Sequence, residues 1–278
     1  MARGRNIANA VAMTVLWGAA ATTVAVLFAI IIYVLINGIS HVSLSFIFGS
    51  PHGVFAEGGI WPMIAASVYV TTLAMLMVTP VAILAAVYLA EYAHQGRVVR
   101  AIRFAADSLA TIPSIVLGLF GFALFVEAMG IGFSVLSGAL ALSFLMLPIV
   151  MRATEESIRA VPRYIRWGSY GLGATKWQTV RRIVLPAAAP RILTGVILAA
   201  GRAVGETAVV IFTLGTAINI PLLPIDPGRT MPVDLYLRVV EGIDAKGAYG
   251  EALVLMVMIL VFNLVARLIV DRNRRLSE

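Results

Sequence analysis

Arg202 and Glu206 are the residues of this 278-residue chain whose types and spacing come nearest to chemistry. They stand four apart inside the apolar run 192–218, and on a helix that spacing puts both side chains on one face. Gly195 and Thr213 project within about a tenth of a turn of the same face at 3.6 residues per turn. An arginine offers a fixed fork of donors to a tetrahedral oxyanion, while a nearby carboxylate can hold the empty fork and weaken retention of the anion. The same two residues can equally form a static ion pair that stitches helices together. Arg202 lies roughly ten residues into its run, about 15 Å at helical rise, near the midplane, where insertion of an arginine costs about 2.5–3.5 kcal/mol. It is expected to face the bundle interior or a wet cavity, so Arg202, Glu206 and Thr213 are the candidates for a substrate pathway. His41, His52 and His94 are too far apart to form a local metal site, and cysteine is absent. The phosphate-loop pattern, His-Glu-x-x-His and Gly-x-Ser-x-Gly are also absent, leaving no nucleotide-hydrolysis or hydrolase site in this chain. It reads as a non-enzyme with no catalytic residues and no metal.

The elements that position these residues follow from composition. Hydrophobic residues make up 60% of the chain and charged residues only 13%, against roughly 25% charged in soluble domains, which predicts an all-α integral membrane protein. The net charge of +7 does not point to nucleic acid, because that needs basic residues on one accessible face, and here they flank apolar runs. Six runs approach or exceed the about 20 residues that a spanning helix needs: 11–36, 62–90, 109–126, 131–150, 192–218 and 251–269. The first is longer than the roughly 7–15 residues of a signal-peptide core and reads as a retained helix. The stretch Thr111-Ile112-Pro113-Ser114 predicts a kinked start to the third. Residues 37–60 and 219–249 read as external loops and 91–103 as a short cytoplasmic one. The inside regions then hold 17 basic residues and the outside loops three, Arg229, Arg238 and Lys246, so both termini are expected in the cytoplasm. No internal repeat is evident, and residues 1–278 read as a single transmembrane domain.

Between the fourth and fifth runs, 152–191 carries eight basic residues, Arg152, Arg159, Arg163, Arg166, Lys176, Arg181, Arg182 and Arg191, and two prolines, Pro186 and Pro190. The order Tyr170 to Trp177, then Ile183-Val184-Leu185-Pro186, predicts helix, glycine turn, basic helix and proline stop. A basic loop that merely obeys the positive-inside rule would account for the charge but not for the glycine and proline spacing. The segment reads as a docking element facing the cytosol.

That spacing resembles the cytoplasmic loop of ABC importer permeases, in which Glu-Ala-Ala, three residues, Gly, nine residues, Ile, one residue and Leu-Pro follow in order. Gly173, Ile183, Leu185 and Pro186 fit the second half; Trp167, Gly168 and Ser169 stand where Glu-Ala-Ala is expected. Gly201-Arg202-Ala203-Val204-Gly205-Glu206-Thr207-Ala208, with Thr111 to Gly121 and Tyr88-Leu89-Ala90-Glu91-Tyr92, resembles phosphate-importer permeases, and Thr207-Ala208 with Phe212-Thr213 is more like PstA than PstC. The resemblance implies a type I ABC importer permease with six transmembrane helices. It implies a second, PstC-like permease, a dimer of ATP-binding subunits that hold ATP and Mg, and an extracytoplasmic phosphate-binding protein. It also implies ATPase coupling through Gly173, Ala174, Lys176, Trp177, Ile183, Leu185 and Pro186, and placement in the cytoplasmic (inner) membrane amid lipid. Arginine does not distinguish tetrahedral anions, so molybdate, tungstate or sulfate remains the alternative substrate. A passive channel is the further alternative, though it leaves the docking spacing without a use.

Overall fold

The computed structural model describes residues 2–52, 57–94, 96–242 and 244–275 and is helical almost throughout. Among the described residues, the strands are a two-residue antiparallel pair, β1 (Pro51–His52) and β2 (Glu57–Gly58). Residues 53–56, at the centre of the expected first external loop, lie outside the described residues. Among the described residues, five helices are long and apolar enough to cross a membrane: Val11–His41, Trp61–Tyr92, Val135–Arg159, Lys176–Val204 and Lys246–Val265. A sixth span exists if Arg97–Thr111 and Ser114–Ala128, bent by 101° at their junction, are taken as one.

The centre is built by α3 (Trp61–Val87), α6 (Val135–Arg159) and α9 (Leu185–Val204). Their buried faces are rich in alanine: Ala74, Ala82 and Ala86 on α3, Ala139 and Ala141 on α6, Ala199 and Ala203 on α9. Small residues let helix backbones approach where lipid supplies no hydrophobic drive to pair them. Ser143 uses the approach, donating to the carbonyl of Ala74 at 3.1 Å across the α3–α6 seam. The first helix, α1 (Ala2–Gly38), stands off this centre and packs along α12 (Ala245–Arg275). There the Tyr33 and Tyr249 rings meet edge to face at 5.7 Å. Gly38 is required at the contact, since a Cβ would come within 2.5 Å of the Tyr249 carbonyl oxygen.

Two expected spans are drawn differently. The run 109–126 is broken at Ile112-Pro113, both extended, with ψ of 132° and 134°. Pro113 has no N–H to donate and disfavours the helical conformation in the residue before it. Upstream, the expected cytoplasmic loop is largely helix, α4 (Arg97–Thr111), with Arg97, Arg100 and Arg103 on one side and Val98, Ile102 and Leu109 on the other. Downstream, α5 (Ser114–Gly121) continues as a π-helical turn over Phe122–Ala128.

The fifth run departs further. Its helix begins in the docking element at Lys176 and stops at Val204, so 192–218 is not one helix. Gly205 and Glu206 follow the helix end, a single turn α10 (Ala208–Ile211) packs on α5, and the chain then folds back over the start of α6. Residues 212–230 are used as a cap: Ser134 N donates to Thr213 O, Val135 N to Asp226 O and Leu136 N to Pro224 O, at 3.2, 2.9 and 2.7 Å. These are the amides that a helix start leaves without partners. The expected second external loop also contains a buried helix, α11 (Met231–Val240).

Candidate functional site

The docking element is assembled from local rules. After α7 (Arg163–Gly171), the chain reverses through Gly173 at φ +82°, a left-handed conformation that glycine adopts without a Cβ clash. Thr175 then opens α8 (Lys176–Thr179) with a reciprocal cap: its Oγ1 accepts from Gln178 N at 3.3 Å, and Gln178 Oε1 accepts from Thr175 N at 2.8 Å. Ser169 and Thr179 hydroxyls, both buried, meet at 2.9 Å and tie the two short helices together. A π-helical turn, Val180–Val184, leads into α9. Leu185 packs on the buried cluster of Val87, Ile158, Val161, Val180 and Val184, while Ile183 and Ala174 are half-buried and Pro186 is exposed in the first turn of α9. Tyr164, Trp167, Leu172 and Trp177 are all exposed, Leu172 at 91%. Together they make an exposed apolar face on α7, the glycine turn and α8.

An ion pair holds this face to the bundle. Arg166 Nη2 and Nε reach Glu91 Oε1 at 2.7 and 3.0 Å, while its guanidinium also donates to Ile158 O at 2.8 Å and Val161 O at 2.6 Å. These two carbonyls belong to the end of α6 and the turn after it, so one side chain joins α3's extension, α6 and α7. Lys176 Nζ lies 5.0 Å from the Tyr92 ring centroid, adding a second tie to the same extension. Glu155 does the same for α4, taking Arg103 at 2.8 Å and Arg159 at 2.7 Å.

Of the pathway candidates, Arg202 is exposed in the last turn of α9 and Glu206 is half-buried beyond the helix end. The expected shared helix face is therefore not formed: Gly205 ends the helix between them. Neither makes an ion pair among the described residues, so the static Arg–Glu stitch is absent. The guanidinium sits where helix carbonyls end, a position that favours a cation. Thr213 is fully buried and donates back to Val209 O at 2.9 Å, and Gly195 is buried with Ala153 2.5 Å from where its Cβ would stand. The structure does not bring these two to Arg202. Arg202 also stands in the last turn of the membrane-length helix rather than ten residues from its start, because that helix begins 16 positions earlier than the apolar run.

A charge cluster lies inside the segment expected to be a loop. Arg238, 2% exposed, reaches Asp234 Oδ2 at 2.8 Å, Glu251 Oε2 at 3.1 Å and Asp244 Oδ2 at 3.2 Å. Arg229 holds the other Asp234 oxygen at 2.8 Å and donates to Thr216 O at 2.9 Å. The cluster pins α11 and the returning chain to the start of α12. Burial opposes the Arg238 charge, but Asp234, Glu251 and Asp244 outweigh it and raise the pKa above arginine's ordinary value. The one sequence signal was the four-residue spacing of Asp234 and Arg238; nothing in the sequence brought Glu251 to them.

Residues 79–275 match the family described as binding-protein-dependent transport system inner membrane component. The probable ABC transporter permease protein YqgI of Bacillus subtilis is 36% identical, covering 95% of each chain. The phosphate transport system permease protein PstA 1 of Mycobacterium tuberculosis is 38% identical over 82% of this chain and 76% of its own. In fold, a chain of the bacterial alginate ABC transporter in complex with its alginate-bound periplasmic protein superposes at TM-score 0.68 with 15% identity, covering 91% of this chain and 90% of that one. The apolar spans, the glycine-turn docking element and the match over residues 79–275 together place this integral membrane chain in the binding-protein-dependent transport system inner membrane component family.

Proposed function

We propose that the chain is a permease subunit of an ATP-driven importer that carries inorganic phosphate across the cytoplasmic membrane. Arg202 carries the reading: an exposed guanidinium without a described partner, at the end of a membrane-length helix, is free to offer its donor fork to a tetrahedral anion. Glu206, past the helix end, would take the fork once the anion leaves. Relatives whose names state phosphate transport, at 37–38% identity, support phosphate over molybdate, tungstate or sulfate.

The docking face is the contact for an ATPase dimer that binds ATP and Mg. Trp177, Lys176 and Ala174 follow Gly173 at its rim, and Ile183, Leu185 and Pro186 lead its motion into α9. Arg166 and Glu91 extend the path to α3. A second permease and an extracytoplasmic phosphate-binding protein complete the assembly, with both termini of this chain in the cytoplasm. Thr213 has a packing role in this arrangement.

The test is uptake by the complex, reconstituted with its binding protein in vesicles. ATP-dependent accumulation of labelled phosphate is expected, with sulfate and molybdate left outside. Phosphate flux that runs without ATP would make the chain a channel, and accumulation of another oxyanion instead would reassign the substrate.

A further inference from the structure

The exposed face of α9 carries a second cation. Ala187, Arg191, Thr194, Leu198 and Arg202 are all exposed at spacings of three and four, so they form one stripe along the helix. Arg191 follows the docking element, five residues past Pro186, and lies about 16 Å from Arg202 at 1.5 Å per residue. It makes no hydrogen bond or ion pair with a described residue.

Arg191 opens on a cavity of about 420 Å³ between α6 and α9, lined also by Glu156, Ser157 and Thr194. The polar groups around it are unequal in kind. Ser157 Oγ donates its proton to Ala153 O at 2.6 Å and Thr194 Oγ1 donates to Pro190 O at 2.9 Å, so both hydroxyls have lone pairs left to offer. Among the described residues Glu156 pairs with Arg152 alone, at 3.5 Å and while largely exposed, and keeps acceptor capacity. The cavity thus sets one cationic donor against three acceptors. Glu156 can only accept, so an anion that itself donates a hydrogen bond fits this set best. Phosphate keeps at least one proton near neutral pH; sulfate, molybdate and tungstate keep none, and each would meet the Glu156 carboxylate with repulsion.

We propose that the α6–α9 cavity is a second anion station on the import path, selective for a protonated tetrahedral oxyanion, with Arg191 holding its charge and Glu156, Ser157 and Thr194 accepting from its hydroxyl. The proposal rests on the phosphate-permease reading and adds to it where phosphate is told from other oxyanions inside the membrane domain.

The cysteine-free chain allows a reporter at Ala160, which lines the same cavity without a polar role. The assembled complex carrying Ala160→Cys is treated with a thiol reagent, and modification of this chain is read by mass. Titrated to ten times its apparent Kd, phosphate leaves about one site in eleven open and slows modification about tenfold; sulfate at the same concentration does not. Adding Arg191→Gln removes the protection, and adding Glu156→Gln lets sulfate protect as well. Equal protection by sulfate and phosphate in the unaltered cavity, or none by either, overturns the proposal. ATP-driven phosphate uptake by the same reporter complex separates the two levels. Uptake with no protection defeats the station alone, whereas protection and uptake both absent defeat the phosphate reading with it.

Discussion

Replacing Arg238 by methionine keeps the volume of the side chain and removes its charge from the most buried ion cluster described. Asp234 and Glu251 are each 0% exposed and Arg238 is 2% exposed, so no water is at hand to replace the lost donor. The two carboxylates fare differently. Asp234 keeps Arg229 at 2.8 Å, but Glu251 has only Arg238 as an ion partner among the described residues. Removing one member of a buried pair costs about 3–5 kcal/mol, chiefly through the charge left behind. Here that charge is Glu251, and the cost falls on the docking of α11 against α12. With a shift of about 2–4 °C per kcal/mol for domains of 150–250 residues, the thermal midpoint should drop on the order of 10 °C. The assay is thermal unfolding of the purified complex at fixed detergent and fixed scan rate, comparing the parent, Arg238→Met, Glu251→Gln and the double variant. The double variant should recover most of the loss, since glutamine leaves no orphan charge and Asp234 retains its partner. A drop of less than about 1 kcal/mol in the single variant, or a double variant less stable than Arg238→Met, would refute the reasoning.

Three further outcomes follow from the docking element and α9. Gly173→Val should uncouple ATP hydrolysis from uptake while sparing insertion, because a β-branched residue resists φ +82°. Gly173→Asn should be tolerated far better, no atom lying within 4 Å of the added Cβ, and equal activity of the two variants would show the turn geometry to be irrelevant. Arg202→Gln should abolish phosphate uptake in a complex that still assembles, and Glu206→Gln on top should not rescue it, since the two make no ion pair; restored uptake in the double variant would make Arg202 a structural partner after all. A cysteine at Thr175 should react with an impermeant reagent only when the cytoplasmic side is open. Labelling from outside intact cells would invert the topology.

Much of this protein was legible in its residues. Apolar runs between arginine-rich connections announced an α-helical membrane chain because hydrocarbon admits only backbones that satisfy themselves. The docking turn was readable because its constraints are local: Gly173 reverses the chain, and Thr175 caps against Gln178 three residues on. Pro113 marked its break for the same reason. What failed were inferences that carried local periodicity past a helix end. Arg202 and Glu206 share a face only if the helix continues, and Gly205 stops it; Thr213, counted on that face, is instead packed in the core. The segment 219–249 read as irregular because its polarity was taken for exposure. Tertiary structure folds part of it into α11 by bringing Glu251, Asp244 and Asp234 around Arg238 and so satisfying charges that would be costly alone. Likewise Glu91 and Arg166 are 75 residues apart, and only the packing of α3, α6 and α7 makes them one contact. Sequence determines what a residue can do within a turn or two of itself; which distant groups complete it is settled when the helices pack.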